Sequence, residues 1–469
     1  MCKVSGVEST CLTLQQDPSL SGNSLNADSA ATGVLYSSVY SCASSSLRKF
    51  GRKTASAVFD LALNSNSENS GECRTLNWFG KNPMSVSLHQ DEQQRNGLLR
   101  NAKRVVIKLG TTTVTGPQGE LSLERMEPIV HAIATLQTTH RQAVLVSSGA
   151  VGLGRGWLGL HPSRLKDMAT KQACAAVGQS LLMEAYKRLF GVHGVKIAQV
   201  LLTEEDFSNW QRYSNLRRTM EKLIGFGVVP IVNENDTVST AELETVGDSR
   251  RSLAFSDNDR LAALVMSGLE ADALILLTNV DGLLSAETSS KQKRAGATSR
   301  APMIPLISRV TPEVRSLASG PSESGRGGMI TKLEAAEIAM NCGGVAVIAN
   351  GSRAEVLPRI FAGEAEGTVF LPSSRMKGKR RWLAYAAGVR GRVVVDAGAQ
   401  RAVTRGKASL LSSGIVRVEK PFGHLDVVSI ANVDGKEFAR GIANCASEAA
   451  ATARVLFTRD NIVLLEREV

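Results

Sequence analysis

The 469-residue chain has only seven cysteines, and no two form a Cys-x-x-Cys pair. Cys2, Cys11, Cys42, Cys73, Cys174, Cys342 and Cys445 are widely scattered, which argues against a zinc site and against a disulfide framework. Free thiols in a reducing, cytoplasmic compartment are the expectation. Histidine is scarce as well, six residues with no metal-ligand spacing, so no metal-binding residue is nominated. No stretch approaches the roughly 18 to 20 consecutive apolar residues that a membrane span needs, and a membrane is not expected as partner. A Walker A pattern is also missing, which removes the common P-loop fold.

What is present describes an ordinary globular chain, 43% hydrophobic and 21% charged, long enough for two or three domains. The formal charge of +11 invites nucleic acid as a partner, but the surplus is local. Residues 372–469 hold 17 Lys+Arg against 9 Asp+Glu, whereas residues 1–100 hold 9 against 8.

Texture divides the chain. Residues 1–100 include 18 serines and no sustained apolar period, which predicts a largely disordered extension. A transit peptide and a translation start at Met84 are the alternatives. From Lys103 onward, short apolar runs at 104–110, 143–149, 196–202, 228–236, 273–282 and 344–351 alternate with helical segments. In Gln172–Phe190 the residues Ala173, Val177, Leu181, Ala185 and Leu189 suggest one apolar stripe. This alternation predicts an α/β domain over 101–371, an open, mostly parallel sheet with helices on both faces. The basic string 372–381 suits a linker, and 382–469 reads as a small β-rich domain with a hairpin at Asn432-Val433-Asp434-Gly435.

Four loops follow strand-like runs, where ligands bind in open α/β sheets. Lys108 ends the first run before Gly110-Thr111, and would place an ammonium near a phosphate; a snorkelling lysine is the alternative. Ser147-Ser148-Gly149-Ala150 offers small residues that let a substrate approach the backbone, or simply a tight turn. Asn233-Glu234-Asn235-Asp236 and Asp257-Asn258-Asp259 crowd amides and carboxylates at the mouths of apolar segments, which is costly without partners. Gly325-Arg326-Gly327-Gly328-Met329-Ile330-Thr331-Lys332 runs into a helix and would present amides and the positive dipole end to an anion. A literal G-x-G-x-x-G at Gly154, Gly156 and Gly159 sits too far from its strand for a dinucleotide site. Two lysines, glycine loops and an acidic residue together suggest phosphoryl transfer.

The strings KLGTTTVTG, VSSGAVGLG, KQACAAVGQSLL, VPIVNENDTV, DND and GRGGMITKL, in this order, resemble the glutamate 5-kinases of the amino-acid kinase family, and 382–469 resembles a PUA domain. The resemblance implies phosphorylation of the γ-carboxylate of L-glutamate by ATP with Mg²⁺, the first step toward proline. It also implies proline as a feedback inhibitor and a homo-oligomer. Carried over by position, Lys108 and Lys332 would contact the transferring phosphoryl group and Asp259 would hold them. Ser148, Asp236 and Asn258 match glutamate-binding positions. ATP would lie over Thr278, Asn279, Arg326, Gly327, Gly328, Met329, Ile330, Thr331 and Lys332, with Lys108 also reaching it.

The chain departs from the bacterial pattern at Asn279, where an acidic residue is usual, at Arg326, and in the stretches 242–256 and 285–301. Acetylglutamate kinase, aspartokinase and UMP kinase are the alternatives within the fold; the Asn-Glu-Asn-Asp run and the C-terminal domain argue against them. RNA binding through the basic region 372–469 is an alternative from another class, weakened by its few aromatics.

Overall fold

The computed structural model describes residues 93, 95–238, 258–285, 302–318, 328–353, 355–373, 375, 376, 378–405, 408–450 and 454–465. The chain divides into two compact units, Met1–Lys81 and Asn82–Val469, and every described residue lies in the second.

Eight strands form one sheet in the order β3-β4-β2-β1-β5-β7-β8-β6. They are β1 (Arg104–Leu109), β2 (Gln142–Ser147), β3 (Ile197–Leu202), β4 (Val229–Glu234), β5 (Ala273–Thr278), β6 (Leu306–Ile307), β7 (Val345–Asn350) and β8 (Thr368–Phe370). Every neighbouring pair is parallel except β7 with β8. The six apolar runs of the sequence are β1 to β5 and β7. The short antiparallel β8 and the two-residue β6 gave no comparable signal.

Parallel strands are buried on both faces, and side-chain alternation sorts each strand into two cores. Val106, Val144, Val146, Val232, Leu274 and Leu276 pack on one face, and Val105, Ile107, Leu145, Ile231, Ile275 and Leu277 on the other. We label the helices of seven or more residues that follow β1: α1 (Leu123–Thr138), α2 (Ala150–Trp157), α3 (Met168–Val192), α4 (Trp210–Gly225), α5 (Asn258–Leu269), α6 (Met329–Asn341), α7 (Val356–Ala362), α8 (Gly378–Tyr385) and α9 (Ala397–Thr404). Helices α5 and α6 cover the first face, while α1, α3 and α7 cover the second.

The stripe expected on α3 is displaced. Its buried residues are Cys174, Ala175, Gly178, Gln179, Leu182, Ala185, Tyr186, Leu189 and Phe190, and Ala173 is exposed. A strict four-residue repeat overshoots the 3.6-residue turn by about 40° per step, so it spirals off the covered face within a few turns. The Gly-x-Gly element lies inside α2, where it serves helix packing. A Cβ on Gly154 would stand 1.8 Å from the Cys174 carbonyl oxygen of α3, and one on Gly178 1.8 Å from that of Ala150. That close approach seats the start of α2, and with it the Ser148-Gly149 turn, in which Gly149 has φ +103°.

The C-terminal part is a five-stranded sheet in the order β10-β9-β11-β12-β13, from β9 (Val389–Val395), β10 (Ile415–Lys420), β11 (Val427–Ala431), β12 (Glu437–Ile442) and β13 (Ile462–Leu464). The hairpin at Asn432–Gly435 joins antiparallel β11 and β12, with Gly435 at φ +76°.

Two stretches are more ordered than their composition suggests. Residues 95–101 are helical, Leu99 is buried, and Arg95 Nη2 donates to the Gly363 carbonyl at 3.2 Å. Within the basic string, residues 378–381 open α8, where Arg381 is 1% exposed and reaches Glu270 Oε1 at 2.8 Å. A basic residue is tolerated there because a carboxylate neutralises it. Trp382, Leu383, Val427 and Val463 share one continuous apolar core with α5 and α6, so the second sheet packs on the first through α8.

Candidate active site

Because β1, β2, β4, β5 and β7 are parallel, their carboxyl ends Leu109, Ser147, Glu234, Thr278 and Asn350 open on one edge of the sheet. The chain lays β2 on one side of β1 and β5 on the other. Such a reversal leaves a crevice at the strand ends.

Lys108 is the penultimate residue of β1 and lies on the face covered by α5. Its Nζ stands 2.8 Å from Asp259 Oδ1, and Lys332 Nζ, in the first turn of α6, stands 3.0 Å from Asp259 Oδ2. All three are buried, at 4%, 6% and 0% exposure. Thr331 Oγ1 donates to Asp259 Oδ2 at 3.0 Å, so the carboxylate is held at both oxygens. A lone buried charge would cost several kcal/mol or change its protonation state. Two ammonium groups on one carboxylate instead form a positive cluster that is oriented before any ligand arrives.

A second network begins one residue earlier. Asn258 Nδ2 lies 3.0 Å from the Ser147 carbonyl, 2.8 Å from Ser148 Oγ and 3.1 Å from Asn233 Oδ1. Asn233 Oδ1 also accepts from Glu234 N–H at 2.9 Å, and Asn233 Nδ2 donates to Gln179 Oε1 of α3 at 2.9 Å. Ser147 Oγ shares a hydrogen bond with the Tyr186 hydroxyl at 2.8 Å, and burial pushes that phenol far above its usual pKa, so it stays neutral. Asn258 and Asp259 are adjacent on α5, and the two networks therefore meet.

The sequence-predicted residues thus divide. Lys108, Asp259, Lys332 and Thr331 form one cluster, and Ser148 and Asn258 form another beside it. Asp236 lies half-buried just beyond β4, three residues after Asn233. Thr278 ends β5, buried, with Oγ1 at 3.3 Å from Oδ1 of the exposed Asn279. Gly328 caps α6, a 13-residue helix in which Met329 is half-buried and Ile330 exposed. Arg326, Gly327 and the stretch 242–256 lie outside the described residues, as does all of 285–301 except Ser285. Gln179 and Tyr186 join the site from α3 without being among the residues the sequence nominates. Both sit in a helix whose apolar pattern reads as plain core; Gln179 falls within the string KQACAAVGQSLL, whose residues carry the resemblance but no individual role.

Among the described residues, no group of three or more His, Cys, Asp or Glu side chains is arranged to hold a metal ion.

Residues 103–350 match the model of the amino acid kinase family, and residues 391–462 match the PUA domain. The chain is 43% identical over 359 residues to a glutamate 5-kinase of Moorella thermoacetica, covering 76% of this chain and 90% of that one. It is 44% identical over 347 residues to one from Myxococcus xanthus, covering 74% and 87%. Against one from Caldanaerobacter subterraneus it is 40% identical over 383 residues, covering 78% and 98%. With matches this extensive, the chain belongs to the amino acid kinase family, among the glutamate 5-kinases, and carries a PUA domain behind its kinase domain.

Proposed function

We propose that the protein transfers the γ-phosphoryl group of ATP to the side-chain carboxylate of L-glutamate, giving L-glutamyl 5-phosphate and ADP, the first step of proline biosynthesis. The observation that carries this reading is the buried Lys108–Asp259–Lys332 cluster set directly beside the Ser148–Asn258 amide network.

A γ-carboxylate is ionised at neutral pH and needs no general base. One of its oxygens attacks the γ-phosphorus, the bond from phosphorus to the β,γ-bridging oxygen breaks, and ADP leaves with that electron pair. Negative charge spreads over the phosphoryl oxygens in the transition state, and fixed cations stabilise it without having to reorganise. Lys108 and Lys332 supply those cations, and Asp259 keeps them in place. Thr278, Asn279, the backbone of Gly328–Thr331 and the 326–327 segment would carry the nucleotide. Ser148 and Asn258 would hold the amino acid, with Asp236 on its ammonium. Mg²⁺ would enter with ATP, held by the phosphates and water as this ion commonly is, and would neutralise phosphate charge. Feedback by proline and self-association belong to the same reading.

The test is an acceptor screen with ATP and glutamate, N-acetylglutamate, aspartate or UMP, following ADP release and trapping the acyl phosphate with hydroxylamine. Glutamate-dependent ADP and hydroxamate are expected. Turnover with another acceptor and none with glutamate overturns the reading.

A further inference from the structure

The orientation of three side-chain amides near the crevice follows from two backbone groups. Amide oxygen and nitrogen are interchangeable until a partner of known polarity decides between them. The Ser147 carbonyl can only accept, so the atom of Asn258 facing it at 3.0 Å is Nδ2. The Glu234 N–H can only donate, so the atom of Asn233 facing it at 2.9 Å is Oδ1. Asn233 must then present Nδ2 to Gln179, and Gln179 must answer with Oε1, as the 2.9 Å contact requires.

This leaves one donor and one acceptor over. Among the described residues, Gln179 Nε2 and Asn258 Oδ1 are both buried and have no hydrogen-bond partner. Gln179 is only 8% exposed, so bulk solvent does not reach its free N–H groups. A buried donor without an acceptor costs about 1–3 kcal/mol, so such a group calls for a partner, and a bound ligand is one that a crevice can supply.

We propose that Gln179 is a substrate-specificity residue: its Nε2 donates to the α-carboxylate of the acceptor amino acid, while its Oε1 fixes Asn233. This deepens the glutamate kinase reading and rests on it. The polarity matches, since an amino acid brings an acceptor, its α-carboxylate, and a donor, its ammonium, which suits Asn258 Oδ1. The location matches as well. Gln179 lies on α3, which covers the face opposite Lys108, and reaches the strand-end edge through Asn233 of β4, two strands from the β1 that carries Lys108, a lateral offset of roughly 10 Å at the usual strand spacing. The reacting carboxylate belongs at Lys108 and Lys332, so the far end of the substrate falls on the Gln179 side.

The experiment compares the full-length wild type with Gln179→Glu and Gln179→Met, measuring kcat, KM for glutamate, KM for ATP and Tm. Gln179→Glu keeps an oxygen for Asn233 but replaces the donor with a carboxylate. It is expected to raise the glutamate KM tenfold or more, with kcat within about threefold and ATP KM unchanged, and to lower Tm because the added carboxylate is buried. Gln179→Met is expected to raise the glutamate KM similarly and to lower Tm. A glutamate KM within twofold of wild type in either folded variant overturns the proposal, whatever its Tm. If neither variant folds, the role is structural and the proposal fails. A wild type inactive with glutamate in this assay fails the glutamate kinase reading instead, which keeps the two apart.

Discussion

Arg260 Nη2 donates to the backbone carbonyl of Tyr385 at 3.2 Å, one residue beyond the Asp259 carboxylate that pairs with both Lys108 and Lys332. The first turn of α5 is therefore tied on one side to Lys108 and Lys332 and on the other to the end of α8, shortly before the residues 391–462 that match the PUA domain. Nearby, Trp382 Nε1 donates to the Phe207 carbonyl at 2.8 Å and Arg440 Nη1 to the Ala384 carbonyl at 2.8 Å.

This tie makes the C-terminal domain part of the kinase core. Trp382→Ala should lower the stability of the whole chain by about 3–5 kcal/mol, as expected for emptying a buried aromatic site. Trp382→Phe should cost less, about 1–3 kcal/mol, by leaving the Phe207 carbonyl without its donor. Denaturant melts of the full chain check both. Separate kinase and PUA transitions, with the kinase midpoint unmoved, would contradict a shared core.

The lysines and the aspartate should separate in a second experiment. Lys332→Ala and Lys108→Ala are expected to lower kcat by two to three orders of magnitude, the loss typical of one fixed transition-state donor, with a small change in Tm. Asp259→Ala leaves two buried ammonium groups without their carboxylate and should cost about 3–5 kcal/mol of stability as well as activity. A Lys332→Ala enzyme with near-normal kcat is the outcome that removes it from the mechanism.

Asp236 should respond differently. Asp236→Ala is expected to raise the glutamate KM by tenfold or more with a much smaller effect on kcat and on the ATP KM. A loss confined to kcat would assign it to the chemical step.

The acid limit of stability offers a fourth test. Burial alone would raise the carboxyl of Glu270, but its hydrogen bond from Arg381 and the charges of Arg381, Arg217 and Arg375 outweigh this and hold it below the usual value near 4.5. A carboxylate depressed in the folded state stabilises above its unfolded pKa and loses that contribution as pH falls through the folded one. Glu270→Gln should therefore reduce Tm at pH 7, and the gap to wild type should close below about pH 4.5. A gap that stays constant from pH 7 to pH 3 removes the ion pair as its cause.

The strands were legible because their signal is local. RVVIKL, QAVLVS and ALILLT carry unbroken apolar runs, and the structure ends them within a few residues of where glycine or polar residues interrupt the run. Lys108 and Asp259 were legible for a related reason, since charge at the mouth of an apolar segment is anomalous, and Lys332 because a glycine-rich loop runs into its helix. The charge surplus of the C-terminal region was legible only as a sum. In the fold, Arg392 and Arg417 pair with Glu419, Arg440 with Glu437, and Arg381 with Glu270.

By itself, the sequence determined the alternation that makes a parallel sheet, the residue types at its strand ends and the family resemblance those residues carry. Tertiary structure alone decided that Asn233 would turn its amide to Gln179, 54 positions away, and that Trp382 would bury its indole against Phe207, 175 positions away. Period and propensity act over a few residues. Which buried donor meets which buried acceptor is settled only when the helices pack and water is gone.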